Sequence, residues 1–506
     1  MQLKTWKNLD VFLLFLFVRL LSVVLVGTFF VPDEYYQSLE VAHNLVFRYG
    51  HLTWEWHKGI RSYGYPLIFA FIYKILQLLR LDTPLAVIYL PRIAQAILSA
   101  YSDLCFYKWS GTKKWAVFTL STSWFWFYMG SRTLINTFEA SLTTIALSKF
   151  PWSGTKNGNS EKFIWIIAFL FVLRPTSAIV WLPLCVFHLA TSQKTVFRLV
   201  VSRYIPIGLI ALIVSTTLDS LVHGSFIVTP YNFLKTNVFQ NIASNYGTHP
   251  WHWYLSNGIP TVLGIQILCF IMATSVVLKA RKNHPNELAM LGTITFSVFV
   301  LSLLSHKEYR FLLPLLPMMF YVSSRFLSAW SRKASMTSIW LVSGVILICN
   351  LFPAWFVGYN HQRGTLDVMH GLRDIAQHDT EKISFLFLMP CHSTPLYSHL
   401  HLNVTTKFLT CNPNLNNIEG YVDEADQFYK NPNIWLRQNY PPRDPLPSHI
   451  ICFDNLVALI GSDILTRYKR IQQYFHCNIP VSTKIGTLVL VYERVDFDNE
   501  VPNDTK

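Results

Sequence analysis

Long runs of apolar residues recur along this chain of 506 residues and set the first limit on its fold. Because 52% of the residues are hydrophobic and only 14% are charged, the composition also differs from that of a soluble domain. Each of the clearest runs is close to the roughly 20 residues that an α-helix needs to cross a bilayer. The pattern therefore predicts a multi-pass α-helical membrane protein. These runs cover residues 11–31, 259–278, 288–304, 311–329 and 336–358.

Further apolar runs raise the predicted number of spans to about a dozen. Between residues 84 and 150 the two sides of the membrane do not alternate cleanly, so we expect one stretch there to be re-entrant or wrongly assigned. Arg19 lies inside the first run, where a charge costs about 2.5–3.5 kcal/mol unless it faces other protein or a cavity. The further runs cover residues 65–79, 84–107, 115–130, 133–150, 163–172, 178–191 and 204–222.

Clusters of basic residues between the runs predict which loops face the cytosol. The clusters at residues 279–282 and 332–333 bracket two spans, so the turn between these spans, residues 305–310, is predicted to be lumenal. The net charge of +14 is spread over such short clusters, which argues against nucleic-acid binding and favours contacts with membrane lipids. The same alternation makes three more segments lumenal: residues 32–64, residues 223–258 and everything after residue 358.

The chain is predicted to divide into a membrane domain, residues 1–358, and a lumenal mixed α/β domain, residues 359–506. Asn403 begins an Asn-Val-Thr glycosylation sequon, which agrees with a lumenal location. Three apolar stretches of the second domain predict strands, at residues 383–389, 449–453 and 488–492. Its cysteines lack metal-ligand spacing and are expected to form one or two disulfides with the pairing open: Cys391, Cys411, Cys452 and Cys477.

Two carboxylates, Asp33 and Glu34, directly follow the first apolar run. An amphipathic helix is predicted after them, with Tyr35 and Leu39 on its apolar face and Glu40 on its polar face, lying in the membrane interface. Carboxylates at the membrane edge suit general-base chemistry, while capping the first helical turn is the simpler role. The same loop carries groups suited to a sugar and a phosphate or to interfacial anchoring: Trp54, Glu55, Trp56, Arg61, Ser62 and Tyr63.

The turn at residues 305–310 concentrates charge between two apolar runs. If it is helical, His306 and Arg310 lie one turn apart, with Lys307 beside Arg310. Cations there suit a lipid-linked phosphate leaving group, because negative charge grows on it as a sugar departs. The simpler role is an internally paired turn in which Glu308 neutralises its neighbours.

Ionisable residues also occur within the apolar runs, where they face a cavity or one another. Arg132 and Glu139 are predicted to form a structural pair that lines a groove, and Arg174 lies near the end of another run. In the aromatic segment 249–254 no carboxylate accompanies the histidines, which favours a lipid or sugar contact over a metal. We find no nucleotide-binding loop, nucleophile elbow or zinc signature in the sequence, so nucleotide-driven chemistry is not supported.

The chain resembles the dolichyl-phosphate-mannose-dependent mannosyltransferases of glycosyltransferase family 22, which have the GT-C membrane fold. The resemblance spans nearly the whole chain and includes Pro32-Asp33-Glu34 and His306-Lys307-Glu308. It extends to residues 52–56, 61–63, 132–134 and 173–176. Longer strings in the last third are most similar to enzymes that add the third mannose of the glycosylphosphatidylinositol (GPI) precursor: residues 361–369, 389–395 and 423–426.

The resemblance implies α-1,2 transfer of mannose from β-linked dolichyl phosphate mannose to the two-mannose GPI intermediate, on the lumenal side of the endoplasmic reticulum membrane. A β donor and an α product mean inversion, so one displacement needs one base and one clamp for the phosphate. The implied base is Asp33, with Glu34 as an orienting neighbour or alternate. No metal or other cofactor is required, and a metal-assisted route stays open. The implied phosphate ligands are His306, Lys307, Arg310 and Arg61.

Three alternatives stand beside this interpretation. A sister enzyme of the family, acting on the fourth GPI mannose or on the N-glycan precursor, would share the short motifs. A lipid or sugar-phosphate transporter would share a charged groove, but the matched broken spans of such proteins are not evident. A non-catalytic scaffold subunit would leave sugar transfer intact when Asp33 is replaced. The sequence predicts no particular protein partner.

Overall fold

The computed structural model describes residues 7–154, 161–239, 242, 247–415, 418–441, 446–460 and 462–495. Part of the predicted lumenal loop 223–258 therefore lies outside the described residues. The chain divides into two compact units. The sequence placed the division at residue 358, whereas the second unit also takes in two segments from the amino-terminal part of the chain. The first unit comprises Met1–Val26, Glu55–Ile68 and Tyr89–Trp355, and the second comprises Gly27–Trp54, Phe69–Ile88 and Phe356–Lys506.

The first unit is built from helices that follow the apolar runs of the sequence. Short connections join them, and several are continued by a turn of π- or 3-10 helix. The helices are Asn8–Leu25, Lys114–Thr122, Trp124–Met129, Ile135–Lys149, Lys162–Leu173, Ser177–Thr191, Val196–Leu199, Val200–Tyr204, Ile205–His223, Thr229–Leu234, Lys235–Phe239, Tyr254–Gly258, Ile259–Leu263, Gln266–Lys279, Arg281–Asn283, Pro285–Leu303, Tyr309–Leu315, Leu316–Ser331 and Met336–Trp355. Trp54–His57, Pro66–Leu79 and Pro84–Ser110 each begin in one unit and end in the other.

Six helical runs of the described residues are long and apolar enough to cross a membrane, or seven if one bent pair counts as a single span. This is fewer than the predicted dozen, because several predicted spans form shorter or broken helices. The chain is nevertheless a multi-span membrane protein. The six runs are Asn8–Leu25, Pro84–Ser110, Val196–His223, Pro285–Leu303, Tyr309–Ser331 and Met336–Ala376.

Two predicted spans are broken at identifiable residues. The run 115–130 forms two helices because Ser123 is extended, and its side chain caps the second helix by accepting a hydrogen bond from Trp126 N at 3.3 Å. The break lies within residues 84–150, where the predicted sides of the membrane did not alternate cleanly. The run 259–278 is bent by 114° at Gly264, whose φ of 53° favours glycine.

Arg19 is fully buried in the first unit, as the cost of a charge in a membrane requires. Its Nε lies 2.8 Å from Oδ2 of Asp103. Its Nη1 and Nη2 donate to the carbonyls of Trp126 and Leu120, each at 3.2 Å. The Trp126 indole donates in turn to Oδ1 of Asp103 at 2.8 Å. The expectation that Arg19 faces other protein is therefore confirmed.

The second unit contains a five-stranded mixed sheet of order β2-β1-β3-β5-β4. The strands are β1 (Ser384–Leu388), β2 (Thr405–Phe408), β3 (His449–Phe453), β4 (Tyr468–Phe475) and β5 (Leu488–Arg494). β1 pairs in parallel with β2 and β3, while β5 is antiparallel to β3 and β4. The predicted strands correspond to β1, β3 and β5, so the mixed α/β prediction is confirmed. Both edge strands, β2 and β4, were missed because polar residues interrupt them.

Helices complete the second unit and cover one side of the sheet with apolar residues. Leu388 and Ile450 of the sheet share a buried cluster with Phe428 and Trp435 of the helices. Cys391 and Cys411 form a disulfide, whereas Cys452 and Cys477 are buried free thiols. The helices are Tyr35–Leu39, Glu40–Phe47, Phe356–Asn360, Gly364–Ala376, Tyr397–Leu400, Glu424–Lys430, Pro432–Asn439, Asp454–Val457 and Ser462–Leu465.

Candidate active site

The acidic pair lies in the second unit, in the first turn of a helix. The carbonyl of Pro32 accepts hydrogen bonds from the backbone N–H groups of Tyr35 and Tyr36, both at 3.0 Å. Glu34 is buried, whereas Asp33 is half-buried, so Asp33 has the more accessible carboxylate. The next residues, Tyr35–Leu39, form a π-helix, a rare form that occurs frequently at functional sites.

The helix after the acidic pair has no exposed polar face. Every residue from Tyr35 to His43 is buried. Glu40, which the sequence placed on the polar face, is 0% exposed and accepts hydrogen bonds from residues 396–398. The helix itself was predicted correctly, but its polar face is not exposed, because residues 396–398 cover Glu40.

Glu308 lies at the centre of the basic turn, in the first unit. Its carboxylate accepts hydrogen bonds from Nε2 of His306 at 2.9 Å and from Nε of Arg310 at 2.6 Å. Residues 305–308 are not helical, and a 3-10 helix begins only at Tyr309. The predicted helical spacing is therefore wrong, and a carboxylate brings His306 and Arg310 together instead.

Lys307 makes a different set of contacts from its neighbours in the turn. Its ammonium donates to the carbonyl of His249 at 3.0 Å and to that of Leu304. The residue is only 3% exposed. The hydroxyl of Tyr254 accepts a hydrogen bond from the backbone N–H of Glu308 at 3.4 Å. Lys307 and Tyr254 thus fasten the turn to the aromatic segment 249–254.

Burial and charge act in opposite directions on the two titratable partners of the turn. Burial alone lowers the pKa of His306, but the hydrogen bond and charge of Glu308 outweigh it and raise that pKa above its usual value. Burial raises the pKa of Glu308, but the charges and hydrogen bonds of Arg310 and His306 outweigh it and lower that pKa to about 2. The turn therefore holds an ionised carboxylate at neutral and mildly acidic pH, and that carboxylate favours the cationic form of His306.

Arg174 forms an ion pair with Glu139 in the first unit. The sequence paired Glu139 with Arg132, and this prediction is wrong. The helix begins only at Ile135, so Arg132 precedes it and does not share a helical face with Glu139. Arg132 is buried with its guanidinium 4.2 Å from the centre of the Tyr128 ring.

Three arginines of the first unit form an electrostatic group. The ring of Phe311 lies 5.7 Å from the guanidinium carbon of Arg174 and 5.5 Å from that of Arg310. Burial lowers the pKa of Arg174, Glu139 raises it, and the like charges of Arg310 and Arg61 lower it further. Nη2 of Arg61 lies 2.8 Å from Oε1 of Glu55. We call Arg61, Arg174 and Arg310 the arginine group, in which each member is held by a carboxylate.

Asp219 is a residue of this region that the sequence analysis missed. It is 0% exposed and accepts hydrogen bonds from the Ser62 hydroxyl at 3.0 Å and the Tyr63 N–H at 2.8 Å. It thereby fixes the segment that follows Arg61. The available signal was an aspartate inside the apolar run 204–222. Trp56, predicted as an anchor or a sugar platform, is buried.

Comparisons with known proteins point to one enzyme family. Residues 10–401 match the model of the Alg9-like mannosyltransferase family. The chain is 50% identical to GPI mannosyltransferase 3 of Drosophila melanogaster, over 94% of this chain and 84% of the relative. It is 40% identical to GPI alpha-1,2-mannosyltransferase 3 of Homo sapiens, over 96% of this chain and 87% of the relative.

A solved structure shares the fold. ArnT from Cupriavidus metallidurans bound to undecaprenyl phosphate has a TM-score of 0.59 over 97% of this chain and 98% of its own. The two sequences are 12% identical, so the likeness concerns the fold alone. Together with the multi-span helical unit and the mixed sheet, it confirms the predicted GT-C fold class.

Proposed function

The chain belongs to the Alg9-like mannosyltransferase family and is a membrane glycosyltransferase, and from this premise we propose that it adds the third mannose of the GPI precursor. The donor is dolichyl phosphate mannose, the acceptor is the two-mannose glycolipid, and the new linkage is α-1,2. The observation that carries the proposal is the 50% identity over 94% of the chain with a GPI mannosyltransferase 3. Membership of the family sets aside the transporter and scaffold alternatives.

In the proposed mechanism Asp33 takes the proton of the acceptor hydroxyl. Its carboxylate is half-buried, whereas Glu34 is buried, so Glu34 is assigned the orienting role. The acceptor oxygen forms a bond to the anomeric carbon of mannose while the bond from that carbon to the phosphate oxygen breaks. The electron pair leaves with dolichyl phosphate, and the configuration inverts. One base with well-placed reactants is enough for such a step.

The leaving phosphate is proposed to bind at His306 and Arg310, with Arg61 and Arg174 as neighbouring cations. In the structure both side chains donate hydrogen bonds to the Glu308 carboxylate, so the proposal requires a phosphate oxygen to replace or share that carboxylate as their acceptor. Lys307 is assigned a bracing role because its ammonium is engaged with backbone carbonyls. Arg132 and Glu139 are proposed to line the groove.

We further propose that transfer requires no metal ion or other cofactor. A single phosphate leaves, and fixed cations are suited to stabilise its growing charge. Among the described residues, the group with closely spaced metal-ligand atoms is Cys391, His392 and Cys411, and its two sulfurs are joined in a disulfide. The proposed partners are the lipid-linked donor, the GPI acceptor and membrane lipids.

The proposed location is the endoplasmic reticulum membrane, with the acidic pair and residues 359–506 on the lumenal side. The disulfide supports an oxidising compartment, and Asn403 of the sequon is exposed. We expect the wild-type protein to lose mass on N-glycosidase treatment, as seen by gel mobility, and Asn403→Gln to lack that glycan. A wild-type protein without a glycan at Asn403 would remove this support for the orientation.

The proposed substrate is tested by lipid profiling of cells that lack this protein. We expect the two-mannose GPI intermediate to accumulate, because the next mannose cannot be added. Re-expression of the wild-type chain should remove the intermediate. Accumulation of a three-mannose GPI lipid, or loss of mannose from the N-glycan precursor, would contradict the proposal and favour a sister enzyme.

The raised pKa of His306 predicts how donor binding depends on pH. A cationic His306 attracts the donor phosphate, so this contribution to binding is present below the raised pKa of His306 in the free enzyme and is lost over the interval in which the pH rises through that pKa. We expect the KM for the donor to increase over that interval. His306→Gln should flatten this part of the profile. If the variant keeps the wild-type pH dependence of donor KM, His306 is not the responsible group.

A further inference from the structure

The segment that bears the acidic pair is anchored by the carboxyl-terminal part of the second unit. Before the pair, the N–H of Gly27 donates to the carbonyl of Gly358, and that of Phe29 donates to the carbonyl of Gln362, both at 2.9 Å. The hydroxyl of Thr28 donates to a neighbouring carbonyl, that of Val357, at 2.7 Å. The chain is therefore fixed a few residues ahead of Asp33.

A second anchor lies directly after the acidic pair. The hydroxyl of Tyr36 donates to the carbonyl of Thr394 at 2.9 Å, and its ring meets that of His392 edge-on at 4.4 Å. His392 has a φ of 57°, a conformation that is strained for a non-glycine residue and recurs at functional sites. It follows Cys391, whose disulfide to Cys411 closes this part of the chain.

The third anchor is Glu40, whose buried carboxylate accepts four hydrogen bonds. Oε1 accepts from the backbone N–H of Leu396 at 2.8 Å, and from the N–H of Ser398 at 3.1 Å and its hydroxyl at 2.6 Å. Oε2 accepts from the N–H of Tyr397 at 3.1 Å. Both carboxylate oxygens are thus used, and three successive backbone groups converge on one side chain.

Burying a carboxylate has a high desolvation cost, so the presence of one at position 40 indicates a role other than packing. Burial raises the pKa of Glu40, and the hydrogen bonds from Ser398, Leu396 and Tyr397 act against it. An apolar side chain of similar size would be expected to pack a helix at a smaller desolvation cost. A carboxylate with four directed hydrogen bonds instead sets the position and rotation of the helix.

We propose that Glu40 is a positioning residue for mannose transfer, which fixes the helix that begins with Asp33 to residues 396–398. The inference rests on the proposed function, because it takes Asp33 as the base. The carboxyl-terminal part of the second unit then has the task of holding Asp33 and Glu34 in the position that transfer requires. Displacement of a reacting group by 1 Å can cost about 100-fold in rate, so a loose helix is sufficient to impair transfer.

The test compares Glu40→Ala with Glu40→Gln in the purified full-length enzyme. Glu40→Ala loses all four hydrogen bonds, whereas Glu40→Gln keeps the acceptor that serves Leu396 and Ser398. We expect kcat per folded molecule to fall by about 10–100-fold in Glu40→Ala, with partial recovery in Glu40→Gln and little change in the KM for either substrate. Glu381→Ala is the matched control, because it removes an exposed glutamate of the same unit.

The outcomes separate this inference from the proposed function. If Glu40→Ala folds and retains the wild-type kcat while Asp33→Asn is inactive, Glu40 does not position the base and the proposed function stands. If Asp33→Asn retains full activity, the base assignment fails and the inference fails with it. If Glu40→Ala does not fold, Tyr36→Phe and Ser398→Ala replace it, and a wild-type kcat in both overturns the inference. Failure of the wild-type enzyme to mannosylate the two-mannose acceptor counts against the proposed function alone.

Discussion

Asp33→Asn is expected to lower kcat for mannose transfer by about 10²–10⁴-fold, the usual contribution of a general base. The amide has nearly the same size as the carboxylate but cannot accept the proton of the acceptor hydroxyl. The measurement is transfer of labelled mannose from dolichyl phosphate mannose to the two-mannose GPI lipid, with purified enzyme in detergent or lipid vesicles. Donor KM is expected to change little, since the phosphate is assigned to other residues.

Glu34→Gln is the matched comparison for Asp33→Asn, because it makes the same chemical change at the adjacent position. Glu34 is buried and is assigned the role of orienting Asp33. We therefore expect Glu34→Gln to lose less kcat than Asp33→Asn, because the base remains but is less well oriented. Thermal unfolding of both variants separates a chemical defect from a folding defect. If Asp33→Asn is nearly as active as the wild type and Glu34→Gln is inactive, Glu34 is the general base and Asp33 is the orienting neighbour.

Asp103→Ala is expected to destabilise the first unit by about 3–5 kcal/mol, because it leaves the charge of Arg19 buried without its carboxylate. The Trp126 indole would also lose its acceptor, which lies 2.8 Å away in the wild type. The measurement is equilibrium unfolding of the purified protein in mixed detergent micelles, followed by tryptophan fluorescence.

The double variant Arg19→Met, Asp103→Leu serves as the control for this prediction. Replacing both charges with apolar groups removes the unpaired charge and restores apolar packing, so much of the stability should return. Arg19 and Asp103 have no role in the proposed mechanism. The double variant should therefore keep measurable transfer activity. A loss of less than about 1 kcal/mol in Asp103→Ala would mean that water or lipid headgroups reach Arg19.

Apolar periodicity was sufficient to predict the membrane character of the chain and the central strands β1, β3 and β5. It could not locate the breaks at Ser123 and Gly264, because each break depends on the backbone conformation of a single residue. Helices shorter than a full span, such as Pro66–Leu79 and Ser177–Thr191, account for much of the difference between the predicted dozen spans and the six or seven observed runs. The edge strands β2 and β4 were missed for a related reason, since an edge strand is exposed enough to tolerate polar residues.

The site motifs were recognisable in the sequence, but the partners of their side chains were not. Glu139 pairs with Arg174 across a long sequence separation, and spacing along one segment favoured Arg132 instead. Glu40 falls on the polar face of the predicted helix. Periodicity cannot distinguish a polar face in water from one that is buried against backbone N–H groups, so the burial of Glu40 was not predicted. The roles of Asp33, Glu34, His306 and Arg310 in transfer remain predictions that the proposed experiments test.

The second unit is assembled from three pieces of chain, Gly27–Trp54, Phe69–Ile88 and Phe356–Lys506. During translation the first two pieces leave the ribosome several hundred residues before the third. At about 5–20 residues per second, the helix with Glu40 waits on the order of tens of seconds for Leu396, Tyr397 and Ser398. During that interval a carboxylate that ends fully buried has to remain hydrated, so this part of the second unit completes its folding only after Leu396, Tyr397 and Ser398 have been synthesised.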